Sequence, residues 1–279
     1  MRVILSKNAG FCFGVKRAIN TAEQTAAKAK GRVFTYGPII HNPQVVEKFE
    51  KAGIHAVSNI KKTGKGDSLI IRTHGVAPEI EKEFLKKALN IVDATCPFVK
   101  KAQKLAANLK SQGYQTIIIG EAEHPEVQGI LGYTGNTALV VGNAVEAGKI
   151  KKYGRLGVVV QTTQSIENFM KTVSNLMDKA PEIRVFNTIC DATKRRQESV
   201  LKLADKVDIM IVVGGKNSAN TKHLAELCKE KGVPTYHIEG ALEIKKGWFK
   251  GKTIAGVTAG ASTPDWVINI VIKTINALA

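Results

Sequence analysis

The chain has 279 residues, 44% of them hydrophobic, which is enough for a packed globular fold of more than one unit. Its 41 Lys and Arg outweigh 24 Asp and Glu, and the net charge of +17 suits an anionic partner. Aromatic residues make up only 6% and do not cluster, which argues against a base-stacking nucleic-acid platform. Four cysteines are too few for a disulfide framework, and no apolar run approaches the roughly 20 residues of a membrane span.

Short apolar runs alternate with amphipathic stretches along the chain. Strands are expected at Val3–Leu5, Arg32–Thr35, Leu69–Arg72, Ile91–Asp93, Thr116–Ile119 and Ala138–Val141. Further strands are expected at Gly157–Gln161, Val185–Asn187, Ile209–Val213, Thr235–Ile238 and Thr253–Val257. Helical patterns cover Val15–Lys30, Pro78–Leu89, Val99–Gln112, Ile166–Lys179, Lys194–Asp205, Thr221–Lys231 and Pro264–Leu278. Unbroken Ile/Val runs between helices predict an α/β fold on parallel sheets covered on both faces. The first seven residues read as a strand and not as a leader, so a cytoplasmic location is expected.

Three segments resemble one another, and each opens with a cysteine. Cys12, Cys96 and Cys190 lie roughly 90 residues apart, a period that implies three similar units. Four residues after each comes a lysine: Lys16, Lys100 and Lys194. A β-branched residue precedes each lysine (Val15, Val99, Thr193), and a second cation follows (Arg17, Lys101, Arg195). Each cysteine falls between an expected strand and an expected helix, where the helix dipole favours a thiolate. The implied units are 13–95, 96–189 and 190–279, the last completed by the N-terminal strand in 1–12. A pseudo-threefold arrangement would bring the thiolates to one axis, as an iron–sulfur cluster or zinc site with an open position. Cys228 is different: it sits on the apolar face of a helical stretch and is read as structural.

Loops at the carboxyl ends of parallel strands are where α/β sheets bind ligands. Here they hold His41, His74 and His124, each near Gly or Pro. Thr162 and Thr163, Ser218 and Asn220, and Ser262 and Thr263 supply small hydroxyls and amides. The Ser218 and Ser262 loops follow strands and open helices, a geometry that binds phosphate through backbone N–H groups. Histidines with Ser, Thr and Asn donors suit a diphosphate. Glu126, two residues after His124, is the candidate proton donor, with Glu121 and Glu123 weaker. No nucleotide fingerprint is complete: in Gly214-Gly215-Lys216-Asn217-Ser218, Met210 takes the place of the first Walker glycine.

Taken together, the segments around Cys12, Tyr36–Pro43, Arg72–Val76, Asp93–Pro97, Glu123–Val127, Gln161–Thr163, Thr188–Thr193, Asn217–Asn220 and Ala259–Asp265 resemble the 4-hydroxy-3-methylbut-2-enyl diphosphate reductase (LytB-type) family. The similarity runs through the whole chain. It implies a trefoil of three α/β units around a central [4Fe–4S] cluster, one per chain, held by Cys12, Cys96 and Cys190. The diphosphate is then expected among His41, His74, His124, Ser218, Asn220 and Ser262. Catalytic roles fall to Glu126, Thr162 and His124, with Glu126 delivering a proton and Thr162 in the relay. The implied reaction is reductive removal of the substrate hydroxyl to give isopentenyl and dimethylallyl diphosphate, the last step of the non-mevalonate isoprenoid pathway. One departure is Ala219, where the family often has serine. The chain carries no flavin or nicotinamide fingerprint, so an acidic ferredoxin or flavodoxin is the expected electron donor. A monomer with no nucleic-acid or membrane partner is expected.

Overall fold

The computed structural model describes residues 1–87 and 89–278; Ala88, inside the expected helical stretch Pro78–Leu89, and Ala279, at the end of the expected third unit, lie outside it. In chain order the first elements are β1 (Arg2–Leu5), α1 (Phe13–Lys28), β2 (Val33–Tyr36), α2 (Pro43–Lys51), β3 (Ile54–Val57), β4 (Ser68–Ile71), α3 (Pro78–Lys86) and β5 (Asn90–Asp93). There follow α4 (Pro97–Ser111), β6 (Gln115–Ile119), α5 (Pro125–Tyr133), β7 (Leu139–Val141), α6 (Ala144–Gly148), β8 (Arg155–Val160), α7 (Ile166–Ser174) and β9 (Glu182–Val185). The last are α8 (Asp191–Ala204), β10 (Ile209–Val213), α9 (Ala219–Glu230), β11 (Thr235–Ile238), β12 (Ile254–Ala259) and α10 (Asp265–Leu278).

The strands form three four-stranded sheets, parallel throughout. Their orders are β1-β12-β10-β11, β5-β4-β2-β3 and β9-β8-β6-β7. These are the same topology three times, with β1 standing where β5 and β9 stand. Leu5 lies opposite Val257 in that pairing, so the N-terminal strand does complete the sheet built from the C-terminal stretch. The strands of each sheet fall within one of the stretches 13–95, 96–189, and 190–278 with 1–12. By packing, one compact unit comprises 1–16, 40–47 and 191 onward; the other comprises Arg17–Ile39 and Lys48–Cys190.

Apolar runs form inner strands because both faces are covered. In β10, Ile209, Ile211 and Val213 pack with Val267, Ile268 and Val271 of α10, while Met210 and Val212 pack with Val200 of α8 and Leu224 of α9. In β6, Ile117 and Ile119 share a core with Leu156 and Phe169, and Ile118 packs with Ala106 and Ile130 on the other face. Each fully buried side chain of this size contributes about 1.5–3 kcal/mol. Helix starts follow local chemistry: Ser165 and Asn143 cap α7 and α6 with side-chain oxygens, and Pro97 stands in the first turn of α4. Among the described residues no helix is long and apolar enough to cross a membrane.

Two strands depart from expectation. β3 was not expected, because Ile54-His55-Ala56-Val57 is an outer strand with His55 exposed and no apolar run. β9 spans Glu182–Val185, ahead of the expected Val185–Asn187, since Arg184 and Val185 face solvent and mask the pattern.

Candidate functional site

The repeated topology places the cysteines at equivalent points. Each follows the outer strand of its sheet and donates its amide to the loop after the neighbouring inner strand. Cys12 N–H donates to the Ala261 carbonyl at 3.2 Å, Cys96 to Thr73 at 3.0 Å and Cys190 to Thr162 at 3.1 Å. Those acceptors are, or directly precede, the candidate site residues Ser262, His74 and Thr162. The approach to the second and third cysteines is a shared turn. Asp93 Oδ1 accepts from Thr95 N–H at 2.8 Å, and Asn187 Oδ1 accepts from Ile189 N–H at 3.1 Å. A helix starts at the residue after each cysteine, so all three sit at helix N-termini, half-buried and without a disulfide.

Two arginines hold the cysteine loops, and only the first lies at a position marked by the repeat. Arg17 donates to the Thr95 carbonyl at 3.0 Å and to that of Asp93 at 3.4 Å. Arg196 donates to the Gly10 carbonyl at 2.6 Å. Cys228, in contrast, is fully buried in α9 beside Val200 and Leu224. Burial pushes its thiol up to about 12, which suits a structural role and not a ligand.

The larger compact unit gathers His74, His124, Glu126 and Thr162. Glu126 is not a loop residue: it lies in the first turn of α5, which Pro125 opens and His124 caps. Its backbone N–H donates to His124 Nδ1 at 3.1 Å. With Nδ1 accepting, the neutral ring carries its proton on Nε2 and offers it as a donor. The His74 ring meets that of His124 edge-on, with centroids 5.2 Å apart. Glu126 is 2% exposed. Thr162 grips it twice: the backbone N–H donates to Oε1 at 2.6 Å and the hydroxyl to Oε2 at 2.8 Å. Burial pushes the carboxyl up to about 7 against the downward pull of those two hydrogen bonds. At neutral pH such a group is a proton donor. Glu123 is exposed and Glu121 is less buried than Glu126, which leaves Glu126 as the buried acid. Gln161, part of the Gln161–Thr163 segment singled out in the sequence, positions this loop: its Oε1 accepts from Glu121 N–H at 2.9 Å and its Nε2 donates to Thr163 at 3.1 Å.

The smaller unit gathers His41, Ser218, Asn220 and Ser262. Ser262 donates its hydroxyl to the His41 carbonyl at 3.1 Å, across 221 residues of sequence. Gly215 has no side chain because a Cβ there would lie 2.5 Å from that same carbonyl. Ser218 caps α9 and accepts from the Thr221 hydroxyl at 3.0 Å. Thr221, also missed in the sequence, is buried against Gly260, so it holds the Ser218 and Ser262 loops at fixed separation. Asn220 is buried, and its Nδ2 has no hydrogen-bond partner among the described residues. A buried N–H donor beside the N-terminus of a helix, with hydroxyls from the loops after two strands, is a donor set suited to an anion.

The chain matches the family model described as LytB protein over residues 3–276. It is similar to the 4-hydroxy-3-methylbut-2-enyl diphosphate reductase of Geotalea daltonii, with 52% identity over 279 residues, covering 100% of this chain and 98% of that protein. The enzyme of the same name from Pelobacter propionicus is 52% identical over 278 residues, covering 100% and 99%. A solved structure of (E)-4-hydroxy-3-methyl-but-2-enyl diphosphate reductase, described as the terminal enzyme of the non-mevalonate pathway, aligns with TM-score 0.72 at 45% identity, covering 99% of this chain and 100% of that one. The E-1-hydroxy-2-methyl-but-2-enyl-4-diphosphate reductase from Plasmodium falciparum aligns with TM-score 0.94 at 31% identity, covering 99% and 87%.

Proposed function

The chain belongs to the LytB protein family, and from that premise we propose that it reduces (E)-4-hydroxy-3-methylbut-2-enyl diphosphate to isopentenyl and dimethylallyl diphosphate. Two electrons and two protons enter, the carbon–oxygen bond breaks, and the oxygen leaves as water. The observation that carries this reading is Glu126, buried and held at both carboxyl oxygens by Thr162, with burial pushing the carboxyl up to about 7.

The donor set fits a [4Fe–4S] cluster on Cys12, Cys96 and Cys190. Three soft sulfur donors stand at equivalent points after the outer strands, each directly before a helix. When bound, the cluster would supply single electrons and Lewis-acid chemistry toward the substrate hydroxyl. The chain's own residues do the rest. Ser218, Asn220, Ser262 and the first amides of α9 bind the diphosphate, together with the rings of His41, His74 and His124. That binding energy orients the carbon–oxygen bond. The Thr162 hydroxyl donates to Glu126 Oε2 at rest; as a relay it turns, Oγ1 takes the Glu126 proton, and the proton it gives up goes to the substrate oxygen that leaves as water. The reading includes an acidic ferredoxin or flavodoxin as donor, and a cytoplasmic monomer.

The test is anaerobic. Iron-loaded protein is expected to oxidise reduced methyl viologen only when the substrate is added, and to release the two diphosphate products. Oxidation that ignores the substrate, or that yields neither product, overturns the reading.

A further inference from the structure

The proposed reduction draws electrons from outside the chain, and we propose that they enter by a small acidic electron-carrier protein docked on the face formed by Leu5, Trp266 and Ile270, next to Phe13. This inference rests on the reductase reading and adds the place where the donor binds.

The face follows from the smaller unit's own packing. β1 is the outer strand of its sheet. Val3 packs with Val267, Ile268 and Val271 of α10, and Leu5, two residues on, shares that side of the strand. Leu5 is nevertheless 43% exposed. On α10, Trp266, Ile270 and Lys273 recur at the spacing of one helical stripe. Trp266 is 48% and Ile270 49% exposed. From Leu5 the chain runs to Gly10, whose backbone lies against the Asp265 side chain, and on to Cys12, whose amide is held by Ala261. Phe13, the residue after Cys12, is 66% exposed. Large apolar side chains are thus presented to solvent along the two segments that meet at a proposed cluster ligand.

Charge selects the partner. Residues 1–16 and 260–278 carry Arg2, Lys7, Lys16 and Lys273, all exposed, against the single carboxylate of Asp265. An aromatic centre with a cationic rim complements a carrier whose redox centre is ringed by carboxylates. Electron-transfer contacts are small, below about 1,200 Å², which a patch of this kind can supply. Each docking passes one electron, so two carrier molecules are oxidised for each carbon–oxygen bond broken.

The experiment uses cluster-loaded protein, an acidic [2Fe–2S] ferredoxin as carrier, and methyl viologen as a small donor that needs no docking face. Carrier binding is read by titration calorimetry and electron delivery by the rate of donor oxidation. Trp266→Glu and Ile270→Glu are each expected to weaken carrier binding and to lower kcat/KM for the carrier by about tenfold or more. Methyl viologen rates stay within about twofold. Trp266→Ala, a milder change, should move the same readouts in the same direction. The salt dependence of carrier binding is expected to flatten in Lys16→Glu/Lys273→Glu. Carrier binding unaltered by these substitutions overturns the proposal, as does an equal loss with both donors. A wild-type dimer that Trp266→Glu dissolves also overturns it, because the face would then join two copies of the chain. Absence of substrate-dependent methyl viologen oxidation in the wild type sinks the reductase reading, while the calorimetry still decides whether the face binds a carrier.

Discussion

The Thr162 hydroxyl donates to Glu126 Oε2 at 2.8 Å while the Thr162 backbone N–H donates to Oε1 at 2.6 Å, so one residue fixes both carboxyl oxygens. The pair joins the end of β8 to the first turn of α5. It gives the buried carboxyl a single orientation. Replacing Glu126 by Gln keeps the shape and removes the transferable proton. Glu126→Gln is expected to lower kcat by about 10²–10⁴ with little change in KM, read as substrate-dependent viologen oxidation. An unchanged kcat would remove Glu126 from the proton path.

Thr162→Ala separates the relay from the acid. The substitution keeps the backbone N–H contact and deletes the hydroxyl contact, and both contacts pull the Glu126 carboxyl down. Its loss therefore moves the carboxyl further up. The pH at which activity falls is expected to rise in Thr162→Ala, with kcat reduced, and Thr162→Ser should restore both. A pH profile that does not move would show that the hydroxyl is electrostatically silent.

The same carboxyl makes folding stability depend on pH. Its ordinary value is 4.5 and burial raises it to about 7 in the folded chain. Between those values the folded state holds a proton that the unfolded state has released, so stability falls as pH rises through this window. Glu126→Gln is expected to lose this component. The check is denaturant unfolding at several pH values between about 4.5 and 7. Parallel pH dependence in the two proteins would contradict a protonated Glu126.

The four cysteines should divide three to one. Cys12→Ala, Cys96→Ala and Cys190→Ala are each expected to lose most of the bound iron and sulfide on anaerobic reconstitution. Cys228→Ala, buried among Val200 and Leu224, should retain the full complement at a cost of about 1 kcal/mol in stability. Iron loss in Cys228→Ala would favour a four-cysteine electron carrier over an enzyme with an open iron.

The phosphate cradle predicts effects on binding. Ser262→Ala and Asn220→Ala each remove a proposed hydrogen bond to a charged oxygen, worth about 1.5–3 kcal/mol. KM for the diphosphate is expected to rise by roughly 10- to 150-fold in each, with kcat less affected. An unchanged KM with a lowered kcat would move these residues from binding to chemistry.

The inner strands were plain in the sequence because runs such as Ile209–Val213 are buried on both faces and need no polar alternation. The equivalence of the three cysteines was also visible, since strand, turn and helix recur around each. The surroundings of the site were less legible. The helix that starts at Pro125 was not legible because a histidine cap is unusual, and His124 accepting from the Glu126 N–H leaves no sequence pattern. The Ser262 to His41 contact spans 221 residues and leaves no local pattern. Arg196 and Thr221 act on backbone and glycines far along the chain, so their importance lies in close approach and not in any motif.

The most direct test of the account is the protonation state of Glu126. Infrared difference spectra of cluster-loaded wild type and Glu126→Gln, taken across a pH titration, isolate the carboxylic acid C=O band of this one residue. The account predicts a band that is present at pH 6 and gives way to carboxylate near 7. A band already lost by about pH 5 would show an ordinary carboxylate at Glu126 and contradict its role as the proton donor.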